Sequence, residues 1–298
     1  MFVLASNVQD TLETYTRLLT STNLYNIQNP PFATMEPPVT TGTTTTSLMS
    51  TSTPPKPIPI PCPFSPESKP FWSSHPQGPL LTSVISYVTS YMSNYDASHD
   101  ISHIHRVISL ARWLHISEPG SLSPSGSPRD PLVIILAALM HDIGDKKYLE
   151  PSEDGSILVR DFLIAHGADP QLAERVQTIC LGVSYSTEIK DPSKTAELIR
   201  QHPELAIVQD ADRLDALGAV GVGRCFAFGG ARGRTMQESV DHFWEKLKKL
   251  PAMMKTETGK GRAAILGNVV TQLALQFAEE TSSFLQSISP EGDLVAAD

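Results

Sequence analysis

His141 and Asp142 stand side by side, and the chain offers further imidazoles and carboxylates around them: His99, Asp100 and His103 upstream, Asp210, Asp212 and Asp215 downstream. Two imidazole nitrogens and two carboxylate oxygens suit one divalent cation and leave positions open for water and a phosphate oxygen. Such a set supports hydrolysis of a phosphate ester or anhydride. A His-Asp dipeptide by itself carries little weight, since it arises by chance about once in a thousand positions. Its placement carries more. The pair sits at the end of PLVIILAALMHDIG, the most apolar stretch of the chain, where buried charge is avoided unless something compensates it. A bound metal ion is the economical compensation.

Helices must do the positioning. Neighbouring side chains on a helix diverge by about 100°, so His141 and Asp142 can flank one ion only near a helix end, and Gly144 provides that end. Between His99 and Val107, the residues Asp100, His103 and Arg106 recur at helical spacing and share a face; His99 lies four residues before His103, and His105 points elsewhere. Between Ile207 and Asp215, Asp212 and Asp215 share a face and Asp210 sits off it. Past Trp72, and as far as about Leu285, apolar residues recur at helical spacing with few strand-like alternations, so the folded region is predicted to be all-α. Helices are expected over Leu80–Tyr95, His99–Leu114 with Ser98 as its cap, a central buried helix ending near Gly144, Ile157–His166, Gln171–Leu181, Lys194–His202, Glu204–Leu217, Met236–Leu250 and Arg262–Leu285. Residues 117–131, SEPGSLSPSGSPRDP, read as a polar loop.

With 298 residues, 40% hydrophobic and 18% charged, the chain has room for one sizeable core and a tail. The formal net charge is -9 and no Lys/Arg run could track a phosphate backbone, so long nucleic acid is not an expected partner. Small anions are, because a bound divalent cation reverses the local field. Cys62, Cys180 and Cys225 are far apart and form no CxxC motif; they fit incidental thiols of a reducing compartment. The N-terminus, with Asp10 and Glu13, resembles neither a signal nor a transit peptide, and no apolar run reaches the roughly 18 residues of a membrane span. The expected location is cytoplasmic or nuclear. From about Asn29 to Pro70 the chain is dominated by Pro, Thr and Ser, too little apolar surface to offset ordering entropy. Residues 1–72 are therefore expected to form a disordered tail with at most a weak helix around Val8–Leu19, residues 73–290 the domain, and residues 291–298 a flexible end.

Read in order, these residues resemble the HD superfamily of metal-dependent phosphohydrolases, and within it a group of small HD-domain hydrolases. The motifs HDxxHxxRV, HDxxDxK, SYS and QDADRLDAxGAxG stand here at 99–107, 141–147, 184–186 and 209–221, and Phe226 to Gly230 fits the aromatic and diglycine stretch of the family. The resemblance runs from about Thr82 to Phe277. It implies an HD-domain helical bundle and cleavage of a small phosphorylated metabolite, a nucleotide being favoured, by metal-activated water. Carried over position by position, it makes His103, His141, Asp142 and Asp212 the metal ligands, with Asp210 as fallback for the last. The ion would be Mn²⁺ or Mg²⁺, with Co²⁺, Ni²⁺ or Fe²⁺ also compatible with these donors. Asp145, four residues after His141, would lie beside the ion if the helix continued one more turn, and the resemblance gives an acid at that offset the proton of the attacking water or leaving group. Arg106, Lys147 and Arg213 are the cations to place against phosphate oxygens; Lys146 is expected to be solvated.

Plainer readings stand beside these. Arg106 and Arg213 can bridge Asp100 and Asp215, Asp145 can cap a loop, and His166 before Gly167 fits a helix C-terminus. His99, His115, His202 and His242 fit surface or packing positions. Gly218 to Gly223 follow no strand and read as close helix packing rather than a phosphate loop. Ser184 to Ser186 can be a connector or a pocket wall. Two other functions fit the scaffold: a di-iron HD-type oxygenase, which would need two more histidines before Asp212 where only His166 suggests itself, and a non-catalytic metal-binding regulatory module. One position departs from the family, which places an Arg about ten residues after Thr256; here Ala263 is followed by Leu266.

Overall fold

The computed structural model of the chain describes residues 61–64, 68–118, 129–145, 149 and 153–287. The expected helix at 8–19, most of the proposed tail, Lys146, Lys147 and residues 291–298 lie outside them. In chain order the helices are α1 (Lys69–Ser74), α2 (Gly78–Met92), α3 (Ile101–Ser117), α4 (Pro131–Met140), α5 (Leu158–Ala165), α6 (Pro170–Val183), α7 (Tyr185–Lys190), α8 (Pro192–Gln201), α9 (Glu204–Asp215), α10 (Gly218–Ala231), α11 (Met236–Glu245), a 3₁₀ segment (Leu247–Met253) and α12 (Glu257–Ser287). Among the described residues there is no strand, as the apolar periodicity predicts, and no helix is long and apolar enough to cross a membrane.

Aspartates set the helix starts. Asp130, Asp169 and Asp191 each accept a backbone N–H from the first turn, at 2.9 Å from Leu132, Gln171 and Lys194, and each is followed by a proline whose missing N–H costs nothing there. Asp100 caps α3, accepting the amides of Ser102 at 3.0 Å and His103 at 3.2 Å. The expected cap, Ser98, is instead bound to Asp96; a carboxylate answers the positive helix end better than a hydroxyl does.

The core is organised on α4. All of Val133 to Met140 is buried, because α2, α3, α6 and α9 pack around it on every side. That enclosure is why the run has no polar face. The helix stops at Met140 rather than running on to Gly144: Ile143 N–H bonds Met140 O at 3.0 Å, Asp145 N–H bonds Asp142 O at 3.3 Å, and Gly144 takes φ 80°. Gly155 crosses so close that a Cβ there would lie 2.4 Å from the Gly144 carbonyl oxygen.

Some elements were unread in the sequence. The glycines from Gly218 to Gly230 belong to α10, where a Cβ on Gly221 would lie 2.1 Å from the Ala216 backbone. Ser184 N-caps α7 and Tyr185 and Ser186 open it. Helix α11 ends at Glu245 and continues as a 3₁₀ segment holding Pro251, while α12 starts five residues before the expected Arg262. The described end of the stretch assigned to the tail packs on the core: Cys62 and Phe64 lie against it, the Phe64 ring tilted 44° to His105 with centroids 3.8 Å apart, and Trp72 is buried.

Candidate metal centre

Three helix ends deliver the polar cluster. His103 lies in the first turn of α3, His141 is the C-cap of α4 with Asp142 following, and Asp212 is in the last turn of α9. His103 Nε2 and His141 Nε2 are 3.3 Å apart. His103 Nε2 is 3.4 Å from Asp142 Oδ2 and 3.6 Å from Asp212 Oδ1, and His141 Nε2 is 3.5 Å from Asp142 Oδ1 and 3.8 Å from Asp212 Oδ1. One donor atom each of His103, His141 and Asp212 lies within 4.8 Å of the others.

The outer contacts decide what those atoms can do. His103 Nδ1 is 2.8 Å from Asp215 Oδ2 and His141 Nδ1 is 3.0 Å from the Ala138 carbonyl oxygen. Both partners only accept, so both protons sit on Nδ1 and both Nε2 atoms offer lone pairs. Two lone pairs and two carboxylates then face one point with no donor among them, and Asp142 Oδ2 is buried without a hydrogen-bond partner. With both imidazoles buried and both carboxylates partly so, an arrangement of acceptors alone is unstable without a cation. In the metal-free protein a proton fills that need: burial opposes charge on His141, but Asp142 and Asp212 outweigh it and raise its pKa to about 9. The same coupling, against the cost of burial, holds both carboxyls well below the usual range. Imidazole Nε2 with carboxylate oxygen is a donor set that a divalent ion fits.

The remaining candidates are placed as follows. Asp145 lies on the turn after the pair and lines the adjoining cleft, reached through that turn and not through a continuing helix. Asp210 faces away: its carboxylate accepts the amides of Lys255 and Thr256 and the Thr256 hydroxyl, at 2.7–3.1 Å, fixing the start of α12. Arg106 donates to Asp215 through Nε at 2.7 Å and Nη2 at 3.1 Å, so it braces the residue that orients His103. Arg213 is buried, donating to Glu188 of α7 at 2.5 Å and the Met253 carbonyl at 2.9 Å. His166 bonds the Phe162 carbonyl at the end of α5, and His202 lies near Arg175 and Glu204, away from the cluster. Leu266, where the family has Arg, packs over Gly218.

A cleft of about 650 Å³ opens beside the cluster. Among its lining residues are cations that the motif reading did not single out: Lys190, Arg224, Arg232, Arg234 and Lys246. The signal available for them was weak, an Arg-Gly-Arg triplet and a few lysines in an otherwise acidic chain.

Comparison with known proteins agrees with this architecture. Residues 100–217, from the α3 cap to two residues past the end of α9, match the HD domain model. YpgQ of Bacillus subtilis is 32% identical over 175 residues, 56% of this chain and 83% of YpgQ. The crystal structure of YpgQ in complex with ADP superposes with a TM-score of 0.52 at 29% identity, covering 67% of this chain and 96% of that one. A protein from Lactobacillus plantarum superposes at 0.56 with 27% identity, over 68% of this chain and 97% of its own. The chain belongs to the HD superfamily of metal-dependent phosphohydrolases.

Proposed function

We propose that this protein is a metal-dependent phosphohydrolase that cleaves a phosphate ester or anhydride of a small phosphorylated metabolite, a nucleotide in the first instance. The observation that carries the reading is the acceptor-only cluster of His103, His141, Asp142 and Asp212, including the orphaned Asp142 Oδ2. When bound there, one Mn²⁺ or Mg²⁺ supplies Lewis acidity and makes water nucleophilic near neutral pH. Asp215 and the Ala138 carbonyl keep both imidazoles turned so that Nε2 faces inward. Asp145 accepts the proton of the attacking water at its carboxylate or returns it to the leaving group. With Arg106 and Arg213 engaged by Asp215 and Glu188, the charge of the reacting phosphate falls to the ion and to Lys147, two residues after Asp145. The ADP held by YpgQ supports a nucleotide as the class of substrate.

A screen of the full chain against nucleoside mono-, di- and triphosphates and sugar phosphates, with each of Mn²⁺, Mg²⁺, Co²⁺, Ni²⁺ and Fe²⁺, tests this. The expected result is release of phosphate or pyrophosphate from at least one compound, abolished by chelation and restored by the ion, with one ion bound per chain. Silence across the panel with every ion, or two irons per chain, overturns it.

A further inference from the structure

The cleft is lined by both acids and cations. Asp142 and Asp145 come from the turn after α4 and Asp212 from the last turn of α9, whereas Arg232, Arg234 and Lys246 come from the α10–α11 turn and the residue after α11. The arginines are arranged rather than merely exposed. Arg232 Cζ lies 4.9 Å and Arg234 Cζ 5.4 Å from the centroid of Phe228, a half-buried ring of α10. They are two residues apart, and Gly233 between them takes φ 70°, which lets the chain reverse and bring both guanidiniums to one ring. A guanidinium braced against an aromatic ring loses less freedom when it grips a phosphate with two hydrogen bonds. Each arginine has an acid nearby, Asp96 for Arg232 and Glu238 for Arg234. Glu238 is already committed to the Thr235 amide and hydroxyl of the capping box. Lys246, 5.2 Å from the centroid of Tyr185, extends the cationic wall.

The geometry points to Arg232 and Arg234 as a tandem anion clamp, braced on Phe228, that determines specificity by holding a second anionic group of the substrate while the ion holds the group that reacts. This rests on the reading above that a phosphate sits at the metal centre. Compounds with a single phosphate lack the group that the clamp holds.

Binding tests it without requiring turnover. With the Mn²⁺-loaded full chain, calorimetry measures the affinity for inorganic triphosphate and for orthophosphate in the parent protein, Arg232→Gln, Arg234→Gln and the double variant. Loss of one charge-assisted pair is expected to weaken triphosphate by about tenfold and loss of both by about a hundredfold, with a shallower salt dependence, while orthophosphate and Mn²⁺ affinities stay within about twofold. Phe228→Leu, which keeps apolar support but removes the ring face, is expected to cost about threefold. Unchanged triphosphate affinity, or an equal loss for orthophosphate, overturns the clamp. If nothing in the substrate screen is hydrolysed yet triphosphate binding depends on the arginines, the hydrolase reading fails and the clamp stands. If a substrate turns over with the same KM in the double variant, the clamp alone fails.

Discussion

The two ends of the bundle bury similar residues and wire them differently. At one end, the start of α3 and the ends of α4 and α9 supply His103, His141, Asp142 and Asp212. At the other, roughly 16 Å away along α4, the end of α3 supplies His115, the α4 cap supplies Asp130 beside Arg129, and the start of α9 supplies Glu204. Glu204 is fully buried, yet its Oε1 accepts the Asp130 N–H at 2.7 Å and Arg175 Nη2 at 2.8 Å. Both signs are present here: His115 Nδ1 and Nε2, Arg129 Nε and Nη1, Arg175 Nε and Glu204 Oε2 are buried without hydrogen-bond partners, but the guanidinium donors match the carboxylate acceptor in sign and no outside cation is called for. At the His-Asp end, acceptors face acceptors. What marks a metal centre is thus the unmatched sign of the hydrogen-bonding groups, and burial of charge is common to both ends.

Substitutions at each end break the comparison in the cleanest way. Asp142→Ala and Asp212→Ala are expected to weaken Mn²⁺ binding by at least ~100-fold and to lower turnover of a substrate from the screen by ~1000-fold, while the chelated protein, compared above about pH 9 where His141 has lost its proton, keeps its unfolding free energy within about 1 kcal/mol of the parent. Glu204→Ala should do the reverse: about 3 kcal/mol of stability lost, because the Asp130 amide and Arg175 keep no buried acceptor, with Mn²⁺ affinity unchanged within about twofold. Denaturant unfolding and calorimetry on the same samples measure both. Equal losses of ion affinity from Glu204→Ala and Asp212→Ala would show the two ends to be one coupled network.

A smaller effect separates the turn after α4 from an ordinary helix end. Gly155→Ala puts a methyl 2.4 Å from the Gly144 carbonyl, so the turn carrying Asp142 and Asp145 must move; about 2 kcal/mol of stability and about tenfold in Mn²⁺ affinity should be lost. Gly167→Ala, at φ 87° with nothing within 4 Å of the added methyl, should cost only about 1 kcal/mol and leave the ion alone. If both substitutions spare Mn²⁺ binding, the Gly144–Gly155 contact plays no part in setting the site.

How much of this the residues revealed depends on whether the cause was local. Helical spacing put His103 on one face with Asp100 and Arg106, and Asp212 on another with Asp215, while the choice of His103 and Asp212 as ligands came from the resemblance to the family; the all-α fold was readable because apolar spacing repeats along the chain. Arg106 and Arg213 were assigned to phosphate on chemistry that suits them equally to a buried partner; their actual partners, Asp215 and Glu188, lie 109 and 25 residues away in sequence and were chosen by tertiary packing. The cleft cations Arg224, Arg232 and Arg234 were missed for the same reason, since α10 had to be seen as a helix first, and glycine is a poor helix former. It is helical because Gly221 and Gly229 allow close approach to Ala216 and Ser239, a gain that propensity does not register.

Proton binding gives the finest comparison, since the histidines at the two ends are pushed opposite ways. Burial would neutralise His141, but Asp142 and Asp212 raise it to about 9 in the metal-free protein. An unfolded chain releases that proton near pH 6.5, so the stabilisation is complete below about pH 6.5 and is lost as pH rises toward 9. His115 is lowered, first by burial and then by Arg129. There the unfolded chain takes up a proton that the folded one resists, so stability falls as pH drops below about 6.5. Thermal unfolding of the chelated protein should therefore show a midpoint that declines by a few degrees on each side of neutrality. His141→Asn should flatten only the alkaline limb and His115→Gln should lessen only the acid one. An alkaline limb that survives in His141→Asn would mean that the cluster does not hold the proton in the metal-free state, and with it would go the argument that four inward-facing acceptors require a cation.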